Sequence, residues 1–100
     1  MNEVDTPKYC KFEAILRRGQ IFQYIEFTND WATRQVEEYP DDHEWFCCGL
    51  ESNKLDRLRM CDQPLSVINV QQKHIIDRSE FERAWESANN WKIANTLSKV

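Results

Sequence analysis

Cysteine and histidine are the residues of this chain best suited to bind a metal or act as nucleophiles. Cys47 and Cys48 are adjacent in "EWFCCGL", His43 lies four residues earlier, and Cys10 and Cys61 are isolated. Structural zinc needs four ligands, commonly from cysteine pairs with two to four residues between them. Adjacent residues of a strand face opposite ways, so Cys47 and Cys48 chelate one ion poorly. We therefore predict reduced thiols, with no metal or cofactor.

Motifs for catalysis are equally sparse. The chain has neither a G-x-S-x-G nucleophile turn nor a glycine-rich phosphate loop, and it has only two glycines. A cysteine–histidine pair could be drawn with His43 or His74, but two histidines in 100 residues are background. We expect no catalytic residues and no enzyme activity.

The stretch "EEYPDDHE" concentrates negative charge around a predicted hairpin turn. One interpretation is a solvated tip, which is the usual state of a charge run. The other is an acidic patch that steers a basic partner, with flanking aromatic residues as anchors. The hypothetical partner-binding set is therefore Trp31, Tyr39, Asp41, Asp42, Glu44 and Trp45.

Arg34 also has two interpretations. It could pair with Glu26 on the neighbouring strand, which we favour because cross-strand charges commonly match. It could instead hold an anion. The alternative function is then a small-ligand or nucleic-acid binding domain that uses an aromatic sheet face with Arg34, Arg57 and Arg59.

Composition limits the class of protein. One hundred residues predict a single domain, 1–100, with an ordered core of about 6–91. The net charge of −4 and the absence of a basic run disfavour nucleic acid. The polar start lacks a signal peptide, and no apolar run is long enough for a membrane helix. We expect a cytoplasmic protein that does not bind membranes.

The N-terminal half predicts one helix followed by strands. Thr6, Pro7 and Gly19 fit the ends of a helix over 6–18, although partial alternation also permits a strand there. Segments 20–28, 31–39 and 44–50 predict strands, separated by the turns "ND" and "PDDH". These short connections require an antiparallel meander.

The C-terminal half predicts a second helix. Asp77 suits its N-cap, and Ile76 with Phe81 fits a hydrophobic staple. An apolar stripe then follows at helical spacing: Phe81, Ala84, Trp85 and Ala88. Segment 51–72 is open between a helical turn and a fourth strand. The fold class is α+β, a three- to four-stranded antiparallel meander packed against a C-terminal helix, with a short N-terminal helix.

Two motifs resemble a small uncharacterised bacterial domain family. "RQVEEY", a turn and "WF" resemble its R-x-V-E-x-aromatic hairpin, and "EFERAWESA" resembles its closing E-F-E-x-x-W-x-x-A helix. The "PDDHE" turn departs from the pattern because it lacks the usual glycine, and the cysteine pair departs as well. The matching positions, within 21–89, are Arg34, Val36, Glu37, Tyr39, Trp45, Phe81, Glu82, Trp85 and Ala88.

The resemblance carries no assigned activity, but some such domains occur in toxin–immunity settings. It therefore implies a partner-binding role. The expected function is a non-catalytic protein-binding module, with immunity-like neutralisation as one form and a basic protein as the expected partner. We expect a monomer or a homodimer through a sheet edge.

Overall fold

The computed structural model describes residues 6–49 and 60–97. Within these two ranges five strands precede one helix: β1 (Lys8–Leu16), β2 (Gly19–Thr28), β3 (Trp31–Tyr39), β4 (Glu44–Gly49), β5 (Ile75–Ile76) and α1 (Arg78–Leu97). The strands form one antiparallel sheet in the order β4-β3-β2-β1-β5. The predicted α+β class is confirmed, and the sheet has one strand more than expected.

The predicted N-terminal helix over 6–18 is wrong and the strand alternative is confirmed, because Lys8–Leu16 forms β1. The residues that resemble a helix C-terminus serve a hairpin instead: Gly19 starts β2 with φ +120°, and residues 17 and 18 make a two-residue turn. β2 is apolar on both faces and lies between two strands, which a helix at 6–18 could not provide. Pairing of β2 with a strand on each of its edges therefore decides the structure of this segment, in spite of its local helix-capping residues.

The β2–β3 connection matches the predicted turn. Asn29 and Asp30 both have positive φ, 54° and 73°, as a type I′ turn requires. A bulge follows, since Glu26 pairs with Arg34 while Phe27 pairs with Ala32. The extra residue moves Ala32 to the face opposite Arg34, which simple alternation along a strand would have placed on the same face.

The two faces of the sheet carry separate cores. On one face α1 covers the helix-side core, which consists of Tyr9, Tyr24, Val36, Phe81, Ala84 and Ala88. On the other face an irregular segment, 60–70, covers the opposite-face core, which consists of Cys10, Ile25, Phe27 and Ala32. Residues 51–59, including Leu55 and Leu58 of the helical-turn or strand alternatives, lie outside the described residues.

The start of α1 follows its predicted signature. Asp77 accepts a hydrogen bond from the backbone N–H of Glu80 at 2.8 Å, as an N-cap should. This contact lowers the pKa of the Asp77 carboxyl. Ile76 packs against the helix-side core that contains Phe81, so the staple is also present. The cap fixes where α1 enters the sheet, beside β1 and β5.

Candidate functional site

The acidic turn is tied to the neighbouring hairpin rather than free in solvent. The guanidinium of Arg18, in the β1–β2 turn, donates to Asp42 at 2.8 Å and to Glu44 at 2.6 Å. Asp41 accepts the backbone N–H of Gln20 at 3.1 Å. Two of the three predicted carboxylates thus have a cationic partner within the chain. Their charge is less available to a basic protein than the sequence suggests.

Of the three aromatic residues in the predicted set, Tyr39 lies at this turn, whereas Trp31 and Trp45 do not join it on the same surface. Tyr39 lies beneath Arg18, 4.0 Å from ring centre to guanidinium carbon. Burial and the hydrogen bond to Glu37 raise the pKa of its hydroxyl to about 12. Trp45 packs on the helix-side core, on the other face of the sheet. Trp31 begins β3, at the opposite end of the strand from Tyr39, and is 53% exposed.

Arg34 holds the helix to the sheet. Its guanidinium donates to Glu26 at 2.6 Å and to Glu82 of α1 at 2.8 Å. It also lies over the rings of Phe81 and Trp85, at 4.9 and 5.0 Å. The predicted pair with Glu26 is present, and Glu82 extends it to a bridge. This guanidinium is therefore occupied by two carboxylates. Arg57 and Arg59, its partners in the alternative function, lie outside the described residues.

Both bridging carboxyls have pKa values shifted downward. Burial of Glu26 opposes ionisation, but the hydrogen bonds from Arg34 and Thr33 outweigh it, so its pKa is lowered. The hydrogen bond from Arg34 likewise lowers the pKa of Glu82. The same carboxylates raise the pKa of Arg34. All three groups therefore stay charged at neutral pH and act as an ionic clamp between β2, β3 and α1.

The adjacent cysteines face opposite ways, as strand alternation predicts. Cys47 pairs with Val36 and packs on the helix-side core, while Cys48 pairs with Gln35 on the other face. Burial raises the pKa of Cys10, which disfavours its thiolate. Within 6–49 and 60–97, no group of three or more histidine, cysteine or acidic side chains could hold a metal ion.

Sequence reasoning predicted an exposed sheet edge but did not locate it on β1. β5 pairs only with Tyr9 and Cys10 of β1. From Phe12 to Leu16, the described part of the chain places no strand on that side of β1. Ile15 is 83% exposed and Leu16 48% exposed at this edge. An apolar strand edge without a neighbour presents backbone donors and acceptors to any extended chain.

The hairpin register identifies which backbone groups point outward. The N–H of Gln20 donates to Asp41 and so points away from β1. Its partner Ile15 therefore belongs to a pair without mutual hydrogen bonds, and the backbone groups of Ile15 point away from β2. Alternation along the strand places those of Glu13 at the same open edge.

A groove lies beside this edge. Its volume is about 660 Å³, and it opens to solvent. We call it the edge groove. Its lining includes Lys11, Glu13, Ile15, Phe22, Lys73 and His74. Only a correct placement of β1 as a strand could have revealed it, because a helix over 6–18 has no edge.

Comparison with known proteins adds no relative. No protein-family model matches the chain, and neither a curated protein nor a solved structure does. The resemblance to the small bacterial domain family accordingly stays a prediction. In the part of the chain that the structure describes, α1 is not long and apolar enough to cross a membrane. The function must therefore be argued from the geometry of the surface.

Proposed function

We propose that this chain is a non-catalytic module that binds another protein by accepting an extended segment of it as an added strand on β1. The observation that carries the proposal is the open edge at 12–16, with Ile15 exposed at its centre. Strand addition to an exposed sheet edge is a recurring mode of peptide recognition, in which main-chain hydrogen bonds supply affinity. An immunity-like role, in which the bound segment belongs to a toxin, is one form of this function.

Two features of the edge support recognition rather than incidental exposure. Proteins usually protect edge strands with charged residues, proline, bulges or covering elements. Here Ala14, Ile15 and Leu16 are consecutive, uncharged and exposed, whereas the β4 edge is contacted by α1. The edge groove also offers space for side chains of an added strand. The unprotected edge is thus the one beside a groove.

The ligand-binding alternative has less support among the described residues. Arg34 is bound to Glu26 and Glu82, and releasing it would leave the buried carboxylate of Glu26 without its cation. The sheet aromatics on that face, Phe22, Tyr24 and Trp45, belong to or pack against the helix-side core. Tyr24 is buried in this core, and the ring of Phe22, which lines the edge groove, already carries the ammonium of Lys11 at 4.7 Å.

Affinity capture from the native host tests the proposal. Ile15→Pro removes an outward N–H from the open edge, and Ile93→Lys alters a similarly exposed isoleucine, 59% exposed, on α1. We expect one partner to bind the wild-type chain and Ile93→Lys, and to be lost with Ile15→Pro. Retention of the same partner by folded Ile15→Pro would contradict strand addition at β1.

A further inference from the structure

We infer that the edge groove selects an extended segment carrying an acidic side chain. The partner is then recognised by its negative charge as well as by main-chain hydrogen bonds to β1. The inference rests on the proposed function. It reverses the charge expected from the acidic turn, which favoured a basic partner.

The cations of the edge groove carry the inference. Lys73 is exposed, and the described residues place no carboxylate within ion-pair distance of it. The ammonium of Lys11 lies 4.7 Å above the Phe22 ring and 3.4 Å from Glu80, a long ion pair. Lys11 can therefore bind a second carboxylate more closely than it binds Glu80. Lys73 can bind one without first breaking an ion pair within the described chain.

The acidic residue of the groove, Glu13, is held by β2 and is not paired with the groove's cations. Glu13 keeps its negative charge, but a hydrogen bond from Gln20 of β2 at 2.5 Å holds its carboxylate, and Glu13 forms no ion pair with Lys11 or Lys73. His74 accepts the backbone N–H of Gln71 through Nδ1, and its ring packs against Phe12 at 4.8 Å. Its Nε2 therefore carries the ring proton. The His74 ring can then donate to a carboxylate.

Three of the registers in which a second copy of this chain could pair with the same edge are unfavourable. A two-fold axis normal to the sheet pairs each residue of β1 with one on the same face. Centred on Glu13, it places Glu13 opposite itself. Centred on Ala14, it places Lys11 opposite Arg17, and centred on Phe12 it needs the edge of Cys10, which β5 already occupies. Like charges directly opposite are destabilising, which disfavours the registers centred on Glu13 and Ala14. A register centred on Ile15 instead places Glu13 opposite Arg17, so the test below includes the oligomeric state of the chain.

A matched peptide pair tests the inference. The probes are capped nine-residue peptides of alternating valine and threonine, one with a central glutamate and one with a central lysine. We expect the glutamate peptide to bind about three- to thirtyfold more tightly than the lysine peptide. The glutamate gains one attractive contact with a groove lysine, whereas the peptide lysine meets a repulsive one, and each such surface contact has a modest effect on affinity. Amide shifts in an NMR titration should map to 12–16, with further changes at Lys73 and His74. The preference should weaken at high salt.

Charge reversal completes the test. Lys73→Glu should reduce or invert the preference for glutamate, whereas Arg83→Glu, an equal charge change on α1, should preserve it. Equal binding of both peptides at 12–16 would overturn the acidic preference and leave strand addition intact. Shifts elsewhere, or no binding by either peptide, would overturn both. A dimer that persists in sedimentation and excludes both peptides would instead assign the edge to a second copy.

Discussion

Proline substitution at two neighbouring positions of β1 distinguishes the open edge from the paired edge. The N–H of Ala14 faces β2, where it pairs with Ile21, because the groups of Ile15 face away. Ala14→Pro therefore deletes a ladder hydrogen bond and leaves the Ile21 carbonyl unpaired. Ile15→Pro changes a residue whose N–H has no strand partner in the described chain.

The expected costs differ severalfold. An unsatisfied buried acceptor costs about 1–3 kcal/mol, and Ile21 is only 3% exposed. Ala14→Pro should thus lower the free energy of unfolding by at least that much. For a domain of this size the melting temperature should fall by roughly 4–24 °C. Ile15→Pro should cost less than about 1 kcal/mol, because its side chain is solvent-exposed and proline also restricts the unfolded chain.

Thermal and urea unfolding, followed by circular dichroism, measure this difference. Ala14→Val and Ile15→Val are matched controls that keep every N–H, and both should melt near the wild type. If Ile15→Pro destabilises as much as Ala14→Pro, the outer edge of β1 is covered. If the order is reversed, the register is shifted by one residue. Either result would refute the assignment of the open edge.

Three further predictions concern the parts that hold the sheet and helix together. Because the pKa values of Glu26 and Glu82 are lowered from 4.5, their stabilisation is present above that pH and is lost as the pH falls below it; Glu82→Gln should flatten this loss in pH-dependent melting. Gly19→Ala should cost about 1–3 kcal/mol in urea unfolding, since φ is +120° and the added carbon would meet a carboxylate of the acidic turn. Phe81→Ala should cost about 3–5 kcal/mol, because the ring is fully buried, and a variant that unfolds like the wild type would contradict the packing of α1.

Local sequence signals were sufficient to predict the β2–β3 turn and the start of α1. Asn29 and Asp30 predict a turn because few residues tolerate positive φ. Asp77 predicts the start of α1 because its carboxylate satisfies a backbone N–H that the helix leaves unpaired. In both cases the cause lies within a few residues of the effect. The same holds for β3 and β4, whose faces follow from alternation up to the bulge.

Long-range pairing decided the features that sequence reasoning missed. The segment before β2 carries residue types that are typical of helix ends: Thr6, Pro7 and Gly19. Its structure is nevertheless a strand, because β1 pairs with β2 along its whole length. The edge groove depends on that pairing and on the turn that brings Lys73 and His74 beside it. The engagement of Asp42 by Arg18 joins residues 24 positions apart, which no local pattern reveals.

Site-specific photocrosslinking in the native host tests the central claim most directly. A photoreactive residue at position 15 lies on the open edge, and the same residue at position 93 lies on an exposed part of α1. We predict one major adduct from position 15, mapped to an extended acidic segment of the partner, and none from position 93. An adduct from position 93 or from the acidic turn, with none from position 15, would contradict binding through β1.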